Sequence, residues 1–486
     1  MSAVFRLSAL ATSLALAACA VGPDYERPAS AVSARFARDE SQAMQHDAAP
    51  AGTSADADAA FWRGFGDPAL TRLIDAALAA NQDLQLAVSR YDASNALLRE
   101  TRFDRIPTIT ASGQVGHRLT SKDQAFGAPR DQRDKPTSSV GINAAWELDL
   151  FGRVRRAVEA QRAETDASAA DVRAVRIAIA GEVARAYVDL RGSQERLRIA
   201  RENADNQRQT LALIDARVGA GRGSELDAAR ARAQVESTTS RIAVYEAAIG
   251  VDEHRLAVLT GQPPGALIGE LDAPAPLPAL VADIDPGTPG DLLRRRPDVA
   301  AAEARLHAAT ARVGVATADL FPRFTLTGLL GSMTSSYGFF RSGSDTNLIA
   351  LGVDWSFLDV GRVRARLAAS NADAAGQLAQ YRQTVLGALE ETENALLRVA
   401  RTRDETTHLE RAATDSARAA QLAHARFTAG AIDYYEVLDA ERTLLQAQDA
   451  AADGRLRSAS ATVALYKALA GGWPSGAGPD APIARR

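Results

Sequence analysis

The stretch Trp146-Glu147-Leu148-Asp149-Leu150-Phe151-Gly152-Arg153 returns later in the chain as Trp355-Ser356-Phe357-Leu358-Asp359-Val360-Gly361-Arg362. The same offset sets Arg217 on Arg426 and Gly221 on Gly430, and after a small drift Leu226-Asp227 falls on Leu438-Asp439 and Arg230 on Arg442. Matches at three loci in one order make a two-fold internal repeat the economical explanation. Ile106-Pro107 and Phe321-Pro322 each introduce a segment containing Thr and Gly, so the two copies share a front half as well.

Outward from Trp146 the pattern has a period of two. Val140, Ile142, Ala144, Trp146, Leu148 and Leu150 face one way, while Gly141, Asn143, Ala145, Glu147 and Asp149 face the other. The second copy sets Ile349, Leu351, Val353, Trp355 and Phe357 against Ala350, Gly352, Asp354 and Ser356. These are strands over about 137–150 and 347–358, with less regular partners over about 106–119 and 323–333 and a polar loop from Thr120 to Pro136. Half-buried strands of a soluble sandwich would alternate in the same way. Strands of this length with one apolar face and one acidic or small face also fit a lipid-facing wall around a water-filled lumen, lined here by Asn143, Glu147, Asp149 and Asp354. Four strands do not close a membrane barrel with a useful lumen, and lipid does not tolerate open sheet edges, so several chains must contribute.

Each second strand leads into an unusually long helical pattern. Residues 153–218 and 363–428 contain no proline, and the first stretch alone would reach about 100 Å at the rise of an α-helix. Two coaxial helices with a kink near Gly181 or Gly192 are the alternative. Shorter helices follow over about 224–260 and 433–470. Between them, Gly219-Ala220-Gly221-Arg222-Gly223-Ser224 lacks the Gly-Lys-Ser/Thr ending of a phosphate loop and reads as a tight reversal, with Ser224 as N-cap. Gly430-Ala431-Ile432-Asp433 is its counterpart. An earlier helix, with Leu70, Leu73, Ile74, Ala77 and Leu78 on one face, is expected to run through Asn81 to Arg102.

The N-terminus carries processing signals. Arg6 precedes a short apolar run, Leu7 to Ala17, with the proportions of a secretory signal over residues 1–18. Leu16-Ala17-Ala18-Cys19 resembles a bacterial lipobox, making Cys19, the sole cysteine, the expected lipidation site. An ordinary signal peptide with an incidental cysteine is the plainer alternative. Residues 19–60 read as a lipidated tether without sustained periodicity. The 486 residues balance 56 basic against 60 acidic side chains for a net charge of −4, which offers no track for nucleic acid. His46, His117, His254, His307, His408 and His424 lack metal-ligand spacing, and no nucleophile elbow occurs, so neither an enzyme nor a metal or cofactor site is expected.

Several motifs together resemble the outer membrane factor family of efflux and secretion ducts, in its lipoprotein branch serving resistance-nodulation-division pumps. They are Val21-Gly22-Pro23-Asp24-Tyr25, Trp62 with Phe65-Gly66-Asp67-Pro68, Trp146 to Arg153, Asp291-Leu292-Leu293-Arg294-Arg295-Arg296-Pro297-Asp298-Val299, Phe321-Pro322, Leu438-Asp439-Ala440 and Gly471-Gly472-Trp473. The resemblance implies an α+β membrane protein: a homotrimer whose four strands per chain form a 12-stranded β-barrel in outer-membrane lipid, continuous with a long α-helical barrel. The structural repeats would span 61–262 and 290–473, with an equatorial linker at 263–289 and a tail at 474–486. It also implies tips at Gly219, Gly221, Gly223, Ser224, Gly430, Ala431, Ile432 and Asp433 that dock a periplasmic adaptor, itself bound to an inner-membrane RND transporter. By position, Phe427, Glu436 and Asp439 fall at the periplasmic gate. A structural periplasmic coiled-coil lipoprotein without conductance is the competing reading, and it leaves the two-faced strands unexplained.

Overall fold

The structure is a computed structural model describing residues 20–29, 32–37, 61–278 and 286–469. The signal segment, Cys19, most of the tether, part of the 263–289 linker and the chain from residue 470 onward lie outside the described residues. The chain divides into two compact units. The first gathers the chain up to Ala29, Arg90–Ala169 and Ala301–Gln383, and the second gathers Ser30–Ser89, Ala170–Ala300 and the chain from Thr384.

The elements in chain order are α1 (Pro68–Ala80), α2 (Gln82–Phe103), β1 (Thr108–Leu119), β2 (Asp134–Leu148), α3 (Arg153–Gly219), α4 (Glu225–Leu259), α5 (Pro289–Arg295), α6 (Pro297–Ala318), β3 (Arg323–Thr334), β4 (Asp345–Asp354), α7 (Val360–Thr428) and α8 (Tyr434–Ala468). The strands form one antiparallel sheet in the order β1-β2-β3-β4. Among the described residues no helix is long and apolar enough to cross a membrane.

Two features depart from the periodicity alone, and the long helix keeps its unbroken reading. The helix that begins at Pro68 does not run through Asn81: Asn81 takes extended backbone angles and starts α2 as a cap. Its side-chain oxygen accepts from the Asp83 and Leu84 amides, and its Nδ2 donates to the Leu259 carbonyl at 2.9 Å. That side chain satisfies orphan groups that an unbroken helix would not have. Conversely α3 is continuous over 67 residues, with no break at Gly181 or Gly192. Gly192 is instead a site of close packing, for a Cβ there would lie 2.7 Å from Leu456 Cδ1. Finally, β4 ends at Asp354, short of Trp355 and Phe357, because Phe357–Asp359 forms a 3-10 turn leading into α7.

In the second unit the run at Asp291–Val299 acquires a role. Thr288 caps α5, its hydroxyl accepting from the Asp291 amide. Arg296, buried where α5 gives way to α6, reaches three elements at once. Its guanidinium donates to Asp298 at 2.7 and 3.0 Å, to Glu391 of α7 at 2.7 Å and to the carbonyl of Ala468 at the end of α8 at 2.8 Å. An adjoining apolar cluster contains Leu292, Val399, Leu465 and Leu469. A planar fork fits this set of acceptors and an ammonium does not. Arg296→Lys and Arg296→Gln are therefore both expected to destabilise the protein, the Gln variant by about 2 kcal/mol, read as a lower urea midpoint in detergent. A Lys variant with the wild-type midpoint would show that charge alone suffices.

Candidate channel wall and helical tips

In the first unit the strand register aligns the apolar positions into a continuous surface. Ile109 faces Ala144, which faces Gly328, which faces Ile349, and one step along Ala111, Ile142, Leu330 and Asn347 stand abreast. Nearer the helices Trp146, Leu326 and Leu351 form a row, then Leu148, Phe324 and Val353. Residues paired across antiparallel strands share a face, so β-branched and leucine side chains cover one side. They are uncovered: Ile349 is 84% exposed, Leu330 70% and Ile109 70%.

The opposite face carries Thr110, Ser112, Gln114, Asn143, Glu147, Thr325 and Thr327, interrupted by Leu329 and Leu348. Asn143 Nδ2 donates to Ser112 Oγ at 2.8 Å. Gly141 and Gly331 meet across β2 and β3 so closely that a Cβ on Gly331 would lie 2.3 Å from the Val140 carbonyl. Glu147 at the strand end pairs with Arg153 at 2.5 and 2.7 Å. Asp354 stands opposite Arg323. Asp149 lies beyond the last residue of β2 and caps α3, accepting from the Val154 and Arg155 amides at 3.1 and 2.9 Å. Residues beyond a strand end no longer alternate, which is why the period of two misplaced it.

The repeat is visible in hydrogen bonds. Trp146 Nε1 donates to the carbonyl of Arg105, just before Ile106-Pro107, and Trp355 Nε1 donates to the carbonyl of Leu320, just before Phe321-Pro322, each at 3.1 Å. The N-terminal motif straps the same unit. The Val21 amide donates to the Phe151 carbonyl at 3.1 Å, Asp24 pairs with buried Arg156 at 2.5 Å, and the Tyr25 ring stacks on His307 at 4.5 Å. Gly22 takes a left-handed conformation against Gly314, where a Cβ would lie 2.5 Å from its Cα. Sequence reading quoted this motif but gave it no structural role.

In the second unit the two helix reversals have one backbone design. Gly221 and Gly430 have φ of 69° and 75°. The Arg222 amide returns to the Arg217 carbonyl at 2.8 Å, and the Ala431 amide to the Arg426 carbonyl at 2.9 Å. This is the six-to-one closure of a left-handed helix cap. Ser224 caps α4 by accepting from the Leu226 amide, whereas Asp433 makes no side-chain capping bond to α8.

Phe427 is buried in a cluster with Ile214, Ala228, Tyr434, Val437 and Leu438, and Ile432 packs against it. The Arg217 guanidinium lies 4.2 Å from the Phe427 ring centre, a cation–π contact joining the two hairpins. Glu436 and Asp439 are exposed on α8. The residues that sequence reasoning missed lie one turn deeper. Buried Glu441 pairs with His424 at 2.8 Å and accepts from the Thr210 hydroxyl at 3.2 Å. Burial holds the Glu441 carboxyl above the ordinary range against the pull of His424 and Thr210. His424 lies six residues before Gly430 and Glu441 eleven after it, so a count outward from the reversal does not pair them.

Comparison with known proteins follows this geometry. The family described as "Outer membrane efflux protein" matches residues 73–262 and 288–471. The outer membrane protein OprJ of Pseudomonas aeruginosa is 34% identical over 97% of each chain. The solvent efflux pump outer membrane protein SrpC of Pseudomonas putida is 33% identical over 95% of this chain and 97% of its own. Among solved structures, the outer-membrane channel OprN superposes with a TM-score of 0.83 at 38% identity, covering 94% of this chain and all of its own. The open state of the MtrE outer membrane channel of Neisseria gonorrhoeae gives 0.80 at 28% identity, covering 93% and 98%.

One carboxyl in the helical unit should report on pH. Burial, and then the neighbouring Asp189, push Asp252 up to about 7, far above the roughly 3.9 of an unfolded aspartate. The folded state thus holds a proton that the unfolded state releases. This contribution is fully present below about pH 4 and is lost as pH rises through about 7. Asp252→Asn is expected to flatten that part of the stability profile, measured as urea midpoint against pH. Parallel profiles for the two proteins would refute the assignment.

Proposed function

The chain belongs to the outer membrane efflux protein family and is an efflux channel component of the outer membrane; from that premise we propose that three copies build the exit duct of a tripartite pump, carrying small molecules from periplasm to exterior. The observation that carries this reading is the sheet: one face is apolar and uncovered, the other is polar, and β1 and β4 each have a neighbour on one side only. In hydrocarbon an unpaired edge is untenable. Pairing β4 of one copy with β1 of the next removes every edge, and three copies give twelve strands around a lumen faced by Asn143 and Glu147. Asp354 sits at the rim of that lumen.

The lipid anchor fits the same picture. Ala20, the residue after Cys19, lies against Gly152 beside the end of β2, so acyl chains on Cys19 would enter lipid next to the inner rim of the barrel. The two helix reversals, Gly219 to Ser224 and Gly430 to Asp433, are the surfaces offered to a periplasmic adaptor, which in turn holds an energised RND transporter of the inner membrane. Within the second tip, buried Phe427 sets the hairpin while exposed Glu436 and Asp439 supply charge to the entrance. Three Asp439 carboxylates around an axis repel one another or hold a cation, which couples the gate to ionic conditions. The reading makes this chain a conduit and assigns it no catalysis.

Single-channel recording in planar bilayers tests this. Small, steady openings are expected from the purified trimer, larger or less cation-sensitive ones from Asp439→Asn. Unchanged openings in the variant would remove Asp439 from the gate, and silence from verified trimers of both would sink the duct. Separately, Cys19→Ser is expected to abolish incorporation of labelled palmitate while leaving membrane association, because the barrel is a second anchor.

A further inference from the structure

The loop between β3 and β4 does not extend the sheet but folds back on it. Ser332 belongs to the apolar face, in step with Leu326 and Leu330 on β3 and abreast of Val140 and Asp345. Its hydroxyl accepts from the Phe340 amide at 3.0 Å and meets Ser344 Oγ at 2.7 Å, and Ser344 Oγ donates to the Arg341 carbonyl at 2.8 Å. Since the Ser344 proton goes to the Arg341 carbonyl, the proton between the two hydroxyls is that of Ser332, giving a chain of three bonds with one direction. The Met333 amide closes the loop's return on the Ser344 carbonyl at 2.7 Å.

This chain pins the loop to the side of the sheet from which Ser332 projects, which is the apolar side. Ser332 is 2% exposed, and Ser138 at the same end of that face is 1% exposed, whereas Leu330 and Ile349 farther along stand open. Phe340 is the one non-glycine among the described residues with a left-handed backbone, at φ 58°. The strain presents it outward at 78% exposure, beside Tyr337 at 67% and Phe339 at 44%, with Arg341 held at the loop's edge by Ser336. At the other end of the same face stands Trp146, and just past the end of β4 the rings of Trp355 and Phe357 meet with centres 5.2 Å apart.

We infer that Tyr337, Phe339 and Phe340 form an aromatic collar that docks on lipid, at the boundary between headgroups and acyl chains of the outer leaflet. The inference rests on the duct reading above. Its occupant follows from continuity with the apolar face: the loop lies over that face and not over the lumen, and aromatic rings with a flanking cation are suited to a layer apolar on one side and wet and anionic on the other. Ser332 is the positioning residue, because its hydroxyl fixes where the collar sits.

Tryptophan placed by Phe340→Trp in the full-length protein, reconstituted in phosphatidylcholine vesicles, tests the assignment against Ile349→Trp in the middle of the face. The signal is the emission each variant adds to that of the parent chain. Lipid brominated just below the headgroup is expected to quench Phe340→Trp more strongly than lipid brominated at the chain ends, with the reverse order for Ile349→Trp. Adding Ser332→Ala should release the loop and weaken quenching at position 340 alone. Quenching of Ile349→Trp without any of Phe340→Trp would overturn the collar while leaving the barrel intact. No quenching of either would overturn both.

Discussion

A sheet placed in hydrocarbon must pair every backbone N–H and C=O, and this chain's four strands cannot do so by themselves. Unsatisfied groups at that depth cost several kcal/mol each, so the open edges of β1 and β4 make the protomer an unfinished object. The same demand explains the division of labour between the faces. Side chains have no lipid to exclude on the inner side, so Thr, Ser, Asn and Gly are tolerated there. On the outer side nothing but hydrocarbon solvates them, and Ile, Leu and Val prevail.

Helix length follows from a different constraint. A helix such as α3, with 67 residues, cannot rely on a broad apolar stripe without becoming insoluble, and its lateral partners must be close. Alanine and glycine at the contacts supply that closeness. Ala184, Ala204 and Ala228 are fully buried, and Gly192 admits Leu456 where any side chain would collide. Small residues thus stand where the aromatic bulk of a globular core would otherwise be, which is why aromatics make up only 5% of the chain.

Much of this was legible because it is periodic. Alternation along Val140 to Leu148 assigns a face to each residue, and the Gly221 and Gly430 reversals follow from the one property glycine alone supplies, an unstrained positive φ. What escaped is what periodicity cannot encode. Asn81 interrupts a helix because a distant carbonyl, that of Leu259, accepts from its amide. Asp149 leaves the strand pattern because two amides of α3 need an acceptor. The run from Asp291 to Val299 marked a family, yet the acceptors of its Arg296 on Glu391 and Ala468 lie far along the chain. Phe427, assigned by position to an entrance, is a packing residue first.

The duplication fixed backbones more firmly than side chains. The two reversals share their closure, but Ser224 caps its helix and Asp433 does not. The second hairpin is held instead by groups on the first: Arg217 against Phe427, Thr210 on Glu441, Asn203 on Gln448 at 2.8 Å and Arg196 on Asp449. Apolar packing between smooth alanine-rich helices resists separation far better than it resists sliding, because neighbouring registers bury nearly the same area. Directional polar contacts remove that degeneracy: a shift of one turn between the hairpins would take Thr210 from the buried Glu441 carboxyl and Arg196 from Asp449, at a desolvation penalty that packing does not offset. The position of the second hairpin is therefore set by a few buried polar pairs, which add little to net stability and much to register.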